Sequence, residues 1–240
     1  MTALYDDPDF LSGYRELRRS GRGLNEDLEI PAMNALLSPG GRGDELRVAD
    51  LGCGEGELAL RLASAGASVV AIDASAAMLS RTTEHPQIRY LQEDLARLDL
   101  PASSLDLVVS SLALHYVEDF IGLVSRVAHW LVPGGRFVFS VEHPVITAPR
   151  DAADLLVDDY ADEGPRQRTW FVDHVVKYHR TTGSTVETLL GQGFTIEALR
   201  EPQPTRAQVA SKPHLAIHRR RPPILLIAAR LVSPRRTGPP

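Results

Sequence analysis

The chain has 240 residues, a net charge of −5, 43% hydrophobic and 24% charged residues, the balance of a globular protein long enough to bury one sizeable core. Eighteen Gly and 17 Pro are too few for a collagen-like or low-complexity polymer, and no apolar run approaches the roughly 20 residues of a membrane span. The single cysteine, Cys53, excludes an intramolecular disulfide framework and a cysteine-cluster zinc site, and with no export signal at the amino terminus a cytoplasmic protein is expected.

Residues 1–46 read as helices and turns, an N-terminal helical cap. Beyond them short apolar runs alternate with longer amphipathic stretches, the pattern of a parallel sheet with crossover helices. Strands are predicted at 47–51, 68–73, 89–92, 105–110, 136–141, 195–200 and 224–230. Several are nearly continuous in Val, Ile and Leu, as strands covered on both faces are. Helices are predicted at 58–64, 76–83, 120–131 and 184–191, with Pro133-Gly134-Gly135 stopping the third. The segment 145–183 is polar and too long for an ordinary loop, so it reads as a lid over a ligand or as disordered chain. A single domain results, with its core at 47–144 and 184–232. Residues 201–240 hold eight Arg or Lys against one Glu. Because Arg219, Arg220, Arg221, Arg235 and Arg236 lie among prolines without interleaved aromatics, they read as a solvated tail, disordered over 233–240, rather than a nucleic-acid foothold.

The chemistry concentrates in Val48-Ala49-Asp50-Leu51-Gly52-Cys53-Gly54-Glu55-Gly56-Glu57-Leu58-Ala59, an apolar strand, a turn with glycine at alternate positions, and a helix. Such a turn lets a ligand lie against backbone amides and carbonyls. A dinucleotide fingerprint needs glycine at position 57, which is Glu. Asp50, Glu55 and Glu57 would repel a pyrophosphate and suit a ligand bearing a sulfonium and an ammonium. Asp73 ends the second strand, where a carboxylate can accept both ribose hydroxyls of a nucleoside.

In these residues the chain resembles the class I S-adenosylmethionine-dependent methyltransferases. Glu93-Asp94-Leu95 after the third strand, Leu105-Asp106-Leu107-Val108-Val109-Ser110-Ser111 as the fourth, and Trp130-Leu131-Val132-Pro133-Gly134-Gly135-Arg136-Phe137 before the fifth extend the resemblance over most of the chain. It implies an α/β, Rossmann-like, doubly wound sheet of seven strands with the last antiparallel, and S-adenosyl-L-methionine as cofactor. It also implies that Gly52 and Gly54 border the methionine part and that Asp73, with Ala74 beside it, binds ribose. Asp94 and Leu95 would contact the adenine amino edge, Asp94 having a helix cap as its alternative role, and Ser110 would face the methionine amine. Met78 would pack near adenine or simply in the core, and Tyr14 joins the cofactor-binding set. Cys53 fills a small turn position and is not expected to be a nucleophile.

Phe139-Ser140-Val141-Glu142-His143-Pro144-Val145, Gly164-Pro165-Arg166 with Trp170, and Lys177-Tyr178-His179-Arg180-Thr181 are similar to a bacterial subgroup acting on small molecules, some of them in secondary metabolism. Tyr5-Asp6, Tyr14-Arg15 and Asn25 with Glu29-Ile30-Pro31 agree with it. Methyl transfer is an in-line displacement, and holding the reactants in line while excluding water supplies much of the acceleration. Where the acceptor loses a proton, histidine titrates in the useful range. His143 after the fifth strand, His115 after the fourth, and Tyr178 and His179 in the lid can contact substrate or act as base, with structural hydrogen bonding as the alternative for each. Glu142 would orient a neighbouring group. His214 and His218 have helical metal-ligand spacing, but Pro213 and the want of a third ligand argue against a metal. The expected partner is a small-molecule methyl acceptor, without membrane or nucleic acid; a homodimer is compatible with the sequence. The rival readings are an RNA or protein methyltransferase, supported by the basic tail alone, and an NAD-dependent oxidoreductase, disfavoured by Glu57 and the acidic turn.

Overall fold

The computed structural model describes residues 4–20, 23–37, 46–150 and 157–232. The N-terminal segment forms α1 (Pro8–Arg19) and, after a single π-turn at Asn25–Glu29, α2 (Ile30–Leu37). The first half of the sheet is laid down by β1 (Arg47–Leu51), α3 (Glu57–Ser64), β2 (Ser68–Asp73), α4 (Ala76–Leu79), β3 (Ile88–Gln92) and β4 (Leu105–Ser111). The chain continues through α5 (Phe120–Trp130), β5 (Leu131–Glu142), α6 (Pro144–Thr147), β6 (Gly164–Trp170) and β7 (Val172–His179). It closes with α7 (Thr182–Gly191), β8 (Phe194–Arg200), α8 (Arg206–Ser211) and β9 (Ile224–Leu231).

Seven strands form one sheet in the order β3-β2-β1-β4-β5-β9-β8. The last strand, β9, runs antiparallel to β5 and β8, and the neighbours from β3 to β5 are parallel. This is the expected doubly wound, Rossmann-like sheet. Alternating strand residues feed two helix layers. Leu51, Val108, Phe139 and Ile227 pack with Leu123, Val127 and Trp130 of α5 and Leu189 of α7 on one face. Val48, Val109, Val138 and Leu226 pack with Leu58, Ala59 and Ala63 of α3 and Met33 and Leu36 of α2 on the other. Burial on both faces explains the continuous apolar runs. Among the described residues, no helix is long and apolar enough to cross a membrane.

Three expectations change in detail. The helix predicted at 76–83 stops at Leu79 because the chain tightens into turns there, with Arg81 N–H bonding the Met78 carbonyl at 3.1 Å and Thr82 N–H the Leu79 carbonyl at 3.2 Å. The fifth strand begins at Leu131, paired with Leu105 ahead of the Pro-Gly-Gly turn, so α5 ends at Trp130. Within 145–183 the chain forms α6 and a two-stranded antiparallel hairpin, β6 and β7. Its alternation is hidden because the buried positions are Arg166, Val175, Lys177 and His179 rather than a row of apolar residues. The predicted disordered tail at 233–240 lies outside the described residues.

The hairpin and the N-terminal segment meet over the sheet. Phe10 of α1 packs edge-on against Trp170 and Phe171 with ring centres 5.3 and 5.5 Å away. Gly13 makes the approach possible, since a Cβ there would lie 2.5 Å from the Phe171 ring. The two elements therefore rise as facing walls above the carboxyl ends of the central strands, where ligands of such sheets bind.

Candidate functional site

Between those walls lies a cavity of about 1040 Å³. Its floor is the turn after β1. Gly52 has φ of 73°, and a Cβ on it would meet the Ala113 Cβ at 2.4 Å, so only glycine lets this turn pack beneath the β4 end. Asp73, at the tip of β2, accepts from Gly54 N–H and Ser75 N–H, both at 2.8 Å. Each carboxylate oxygen accepts one such bond and retains acceptor capacity for a ligand hydroxyl. Burial raises the Asp73 carboxyl above the usual range, and the backbone amides of Ser75 and Gly54 oppose that rise.

Asp50 of β1 lies beneath the same turn, 1% exposed, with neither carboxylate oxygen partnered. Burial, and then the nearby Asp73, push its pKa up to about 7. Arg61 of α3, whose charge opposes that rise, has a buried Nε without a hydrogen-bond partner. Glu29, 1% exposed, accepts from Ser111 Oγ at 2.9 Å and Ser140 Oγ at 2.8 Å. A buried acid and a buried guanidinium nitrogen left unpartnered on one wall cost free energy unless a ligand supplies opposite charges. The α-ammonium and α-carboxylate of S-adenosyl-L-methionine fit that need, whereas a pyrophosphate would face Asp50, Glu55 and Glu57.

The N-terminal wall is tied to the turn by ion pairs, Arg15 to Glu55 at 3.3 Å and Arg18 to Glu57 at 2.6 Å. Asp6 is anchored more directly, accepting from Ser75 Oγ at 2.6 Å and Ala77 N–H at 3.0 Å. Tyr5 stands edge-on to Tyr14 and Tyr116 at 5.2 and 6.3 Å, which makes an aromatic partition inside the cavity.

On the far side of that partition, Glu142 at the end of β5 receives Lys177 Nζ from the hairpin at 2.6 Å. The ammonium also lies 4.3 Å from the Trp170 ring centre and 5.8 Å from that of Tyr116. Burial acts to raise the Glu142 carboxyl, but His115 and Lys177 outweigh it and hold it below the usual range. His115 is 5% exposed, accepts from Glu142 N–H at 3.4 Å, and has its pKa lowered to about 4, chiefly by burial. It is neutral at physiological pH.

Of the predicted site residues, Tyr14, Gly52, Gly54, Asp73, Met78 and His115 line this cavity. Ala74 adjoins it in sequence and gives its carbonyl to Gln92 Nε2 at 3.4 Å. Asp94 accepts from Ala96 N–H at 2.9 Å, Leu95 packs against the core, and Ser110 Oγ donates to the Leu51 carbonyl at 2.7 Å. The other three predicted acid-base groups are placed elsewhere. His143 bonds Glu201 at 2.8 Å and accepts from Val145 N–H at 3.1 Å. His179 bonds Thr147 Oγ1 at 2.8 Å and the Tyr160 carbonyl at 3.0 Å. Tyr178 lines a small separate hollow with Arg180 and Phe120. Sequence reasoning did not single out Arg61, Arg168, Arg221 or His218 as ligand contacts, nor pair Glu142 with Lys177; these come together only through the fold.

A family model described as a methyltransferase domain matches residues 49–139. An uncharacterised protein of Haemophilus influenzae is 34% identical over 258 aligned residues, covering 96% of this chain and 98% of its own. The crystal structure of an S-adenosylmethionine-dependent methyltransferase from Mesorhizobium loti is 42% identical with a TM-score of 0.76, spanning 83% of this chain and 96% of that one. A Listeria monocytogenes structure of the same description is 33% identical, with the same coverage and a TM-score of 0.76.

Proposed function

Since the chain belongs to the class I S-adenosylmethionine-dependent methyltransferases, we propose that it transfers the methyl group to a small molecule enclosed in the cavity between the N-terminal wall and the β6–β7 hairpin. The observation that carries this reading is the cavity itself. At about 1040 Å³ it exceeds the usual 300–1,000 Å³ of small-ligand pockets, room for a cofactor and a compact acceptor, and it is walled by segments from both ends of the chain. The cofactor supplies an electrophilic methyl on a sulfonium, and the chain supplies position and dryness.

Asp73 takes the ribose hydroxyls. Asp50 and Arg61 meet the ammonium and carboxylate of the methionine arm, and Met78 lies against the adenine side. Tyr5, Tyr14 and Tyr116 exclude water between the two halves of the cavity and align the acceptor with the departing sulfur. His115, neutral and facing the acceptor half, receives a proton where the acceptor carries one. Its low basicity gives it a minor share of the rate, with positioning dominant. The hairpin acts as the lid of the 145–183 segment, and the core spans 47–144 and 184–232. A cytoplasmic setting is part of this proposal, supported by a single cysteine that calls for no oxidising compartment.

Incubation with a deuterated-methyl donor and a metabolite pool, followed by mass spectrometry, tests this reading. One labelled methyl on a low-mass product supports it. Label found only on RNA or protein would replace it with the macromolecular reading.

A further inference from the structure

The segment that leads into β9 carries two unsatisfied nitrogens on the wall of the same cavity. His218 lies in the last turn of a 3-10 stretch, Pro213–Arg219, and Arg221 follows it. Among the described residues, the Arg221 guanidinium makes one side-chain hydrogen bond, from Nη2 to the Val145 carbonyl at 3.0 Å, while its Nε is buried without a partner. His218 Nδ1 is likewise buried without a partner, while the His218 ring lies against the Arg221 backbone. Both residues line the cavity beside Ile146, Pro223 and Ile224.

Their position separates them from the cofactor. Asp73 stands at the end of β2, and the sheet order places β9 four strands away from it and three from β1. At about 4.8 Å per strand, the start of β9, which this segment leads into, lies on the order of 14 Å from β1, across β4 and β5. An arm bound over β1 at Asp50 and Arg61 does not reach there, so a group that satisfies them belongs to the acceptor.

The charge is also specific. A buried guanidinium edge is costly to leave open and is best met by an oxyanion, which can take two parallel N–H bonds. This chain uses that edge elsewhere: Arg47 grips Asp106 through Nε at 2.9 Å and Nη2 at 3.0 Å. At Arg221, Nη2 is steadied by Val145 and the adjoining Nε is left for such a group. Lys177 and Arg168 also line the cavity, where Glu142 is bound to Lys177 and Glu29 is held by Ser111 and Ser140, so Arg221 Nε is a cationic group there that still lacks a hydrogen-bond partner.

We propose that Arg221 and His218 form an anion subsite that receives a carboxylate or phosphate of the methyl acceptor, at the end of the cavity away from the cofactor. The inference rests on the methyltransferase reading for the identity of the acceptor, but the subsite is testable without turnover. The enzyme, saturated with S-adenosylhomocysteine so that the cofactor-side charges are occupied, is titrated by calorimetry with malonate, with citrate and with inorganic phosphate. Saturable millimolar binding is expected for at least one, and which one saturates names the anionic group. In Arg221→Gln that affinity should fall about tenfold or more, with partial recovery in Arg221→Lys, because the charge returns without the planar edge. S-adenosylhomocysteine affinity should stay unchanged in both variants, which also shows that they are folded. Absence of saturable anion binding, or equal binding in Arg221→Gln, overturns the subsite. Failure of wild-type enzyme to bind S-adenosylhomocysteine would instead sink the methyltransferase reading.

Discussion

Two acidic side chains at the cavity floor do different work, and their surroundings say which. Asp73 is held by Gly54 and Ser75 amides in a fixed orientation, so a ligand hydroxyl meets it without reorganisation. Asp73→Ala removes two hydrogen bonds to a charged group, roughly 1.5–3 kcal/mol each, and is expected to weaken S-adenosylhomocysteine binding about a hundredfold or more in calorimetry. Asp73→Asn, which keeps one acceptor oxygen, should lose less. Asp50 has no side-chain hydrogen bond and only the Arg61 charge and the Ala59 backbone to oppose its burial, and its pKa of about 7 against 3.8 for an unperturbed carboxyl means that the folded chain binds this proton more tightly than the unfolded chain. Its contribution to stability therefore falls as pH rises from about 4 to 7. Asp50→Asn is expected to raise the thermal midpoint of the ligand-free protein by a few degrees at pH 8, with the gain shrinking toward pH 4, while weakening cofactor binding at pH 8. A variant that lost both midpoint and affinity would show that Asp50 is satisfied within the free protein.

At the level of elements, the cavity is a joint product of the sheet ends, the N-terminal wall and the hairpin. Asp6 ties the first wall to the turn after β2, so Asp6→Ala should speed S-adenosylhomocysteine dissociation severalfold in stopped-flow measurements and leave association nearly unchanged. The hairpin is tied by Lys177, whose side chain is 7% exposed and paired with Glu142. Lys177→Met leaves the half-buried Glu142 carboxylate without its ion-pair partner and should cost roughly 1–3 kcal/mol in chemical denaturation, a loss that adding Glu142→Gln partly restores. The sheet strands are legible in the sequence because each carries its own apolar run and is bounded by turn residues. The glycine turn and Asp73 are legible because strand, turn and acid lie close along the chain. The hairpin is not, since Arg166, Lys177 and His179 occupy its buried positions and leave no apolar alternation. Arg221 reads as part of a solvated basic tail and His218 as one of a metal-spaced pair argued against, and only the antiparallel return of β9 beside β5 brings them to the cavity wall. His143, by its place after β5, invites a catalytic reading, yet its ring is occupied by Glu201 and Val145. His115, after β4, does open on the cavity.

For the molecule as a whole, one charge pattern organises these details: the buried Asp50 and Arg61 with an acidic glycine turn on the cofactor side, and the unpartnered Arg221 Nε on the acceptor side. The cofactor-side pattern favours a nucleoside with a cationic arm over a diphosphate. Calorimetric titration of the full chain with S-adenosylhomocysteine and, separately, with NADH puts this directly to the test. One saturable site for S-adenosylhomocysteine and no heat from NADH is the expected result; saturable NADH binding with none for S-adenosylhomocysteine would contradict it.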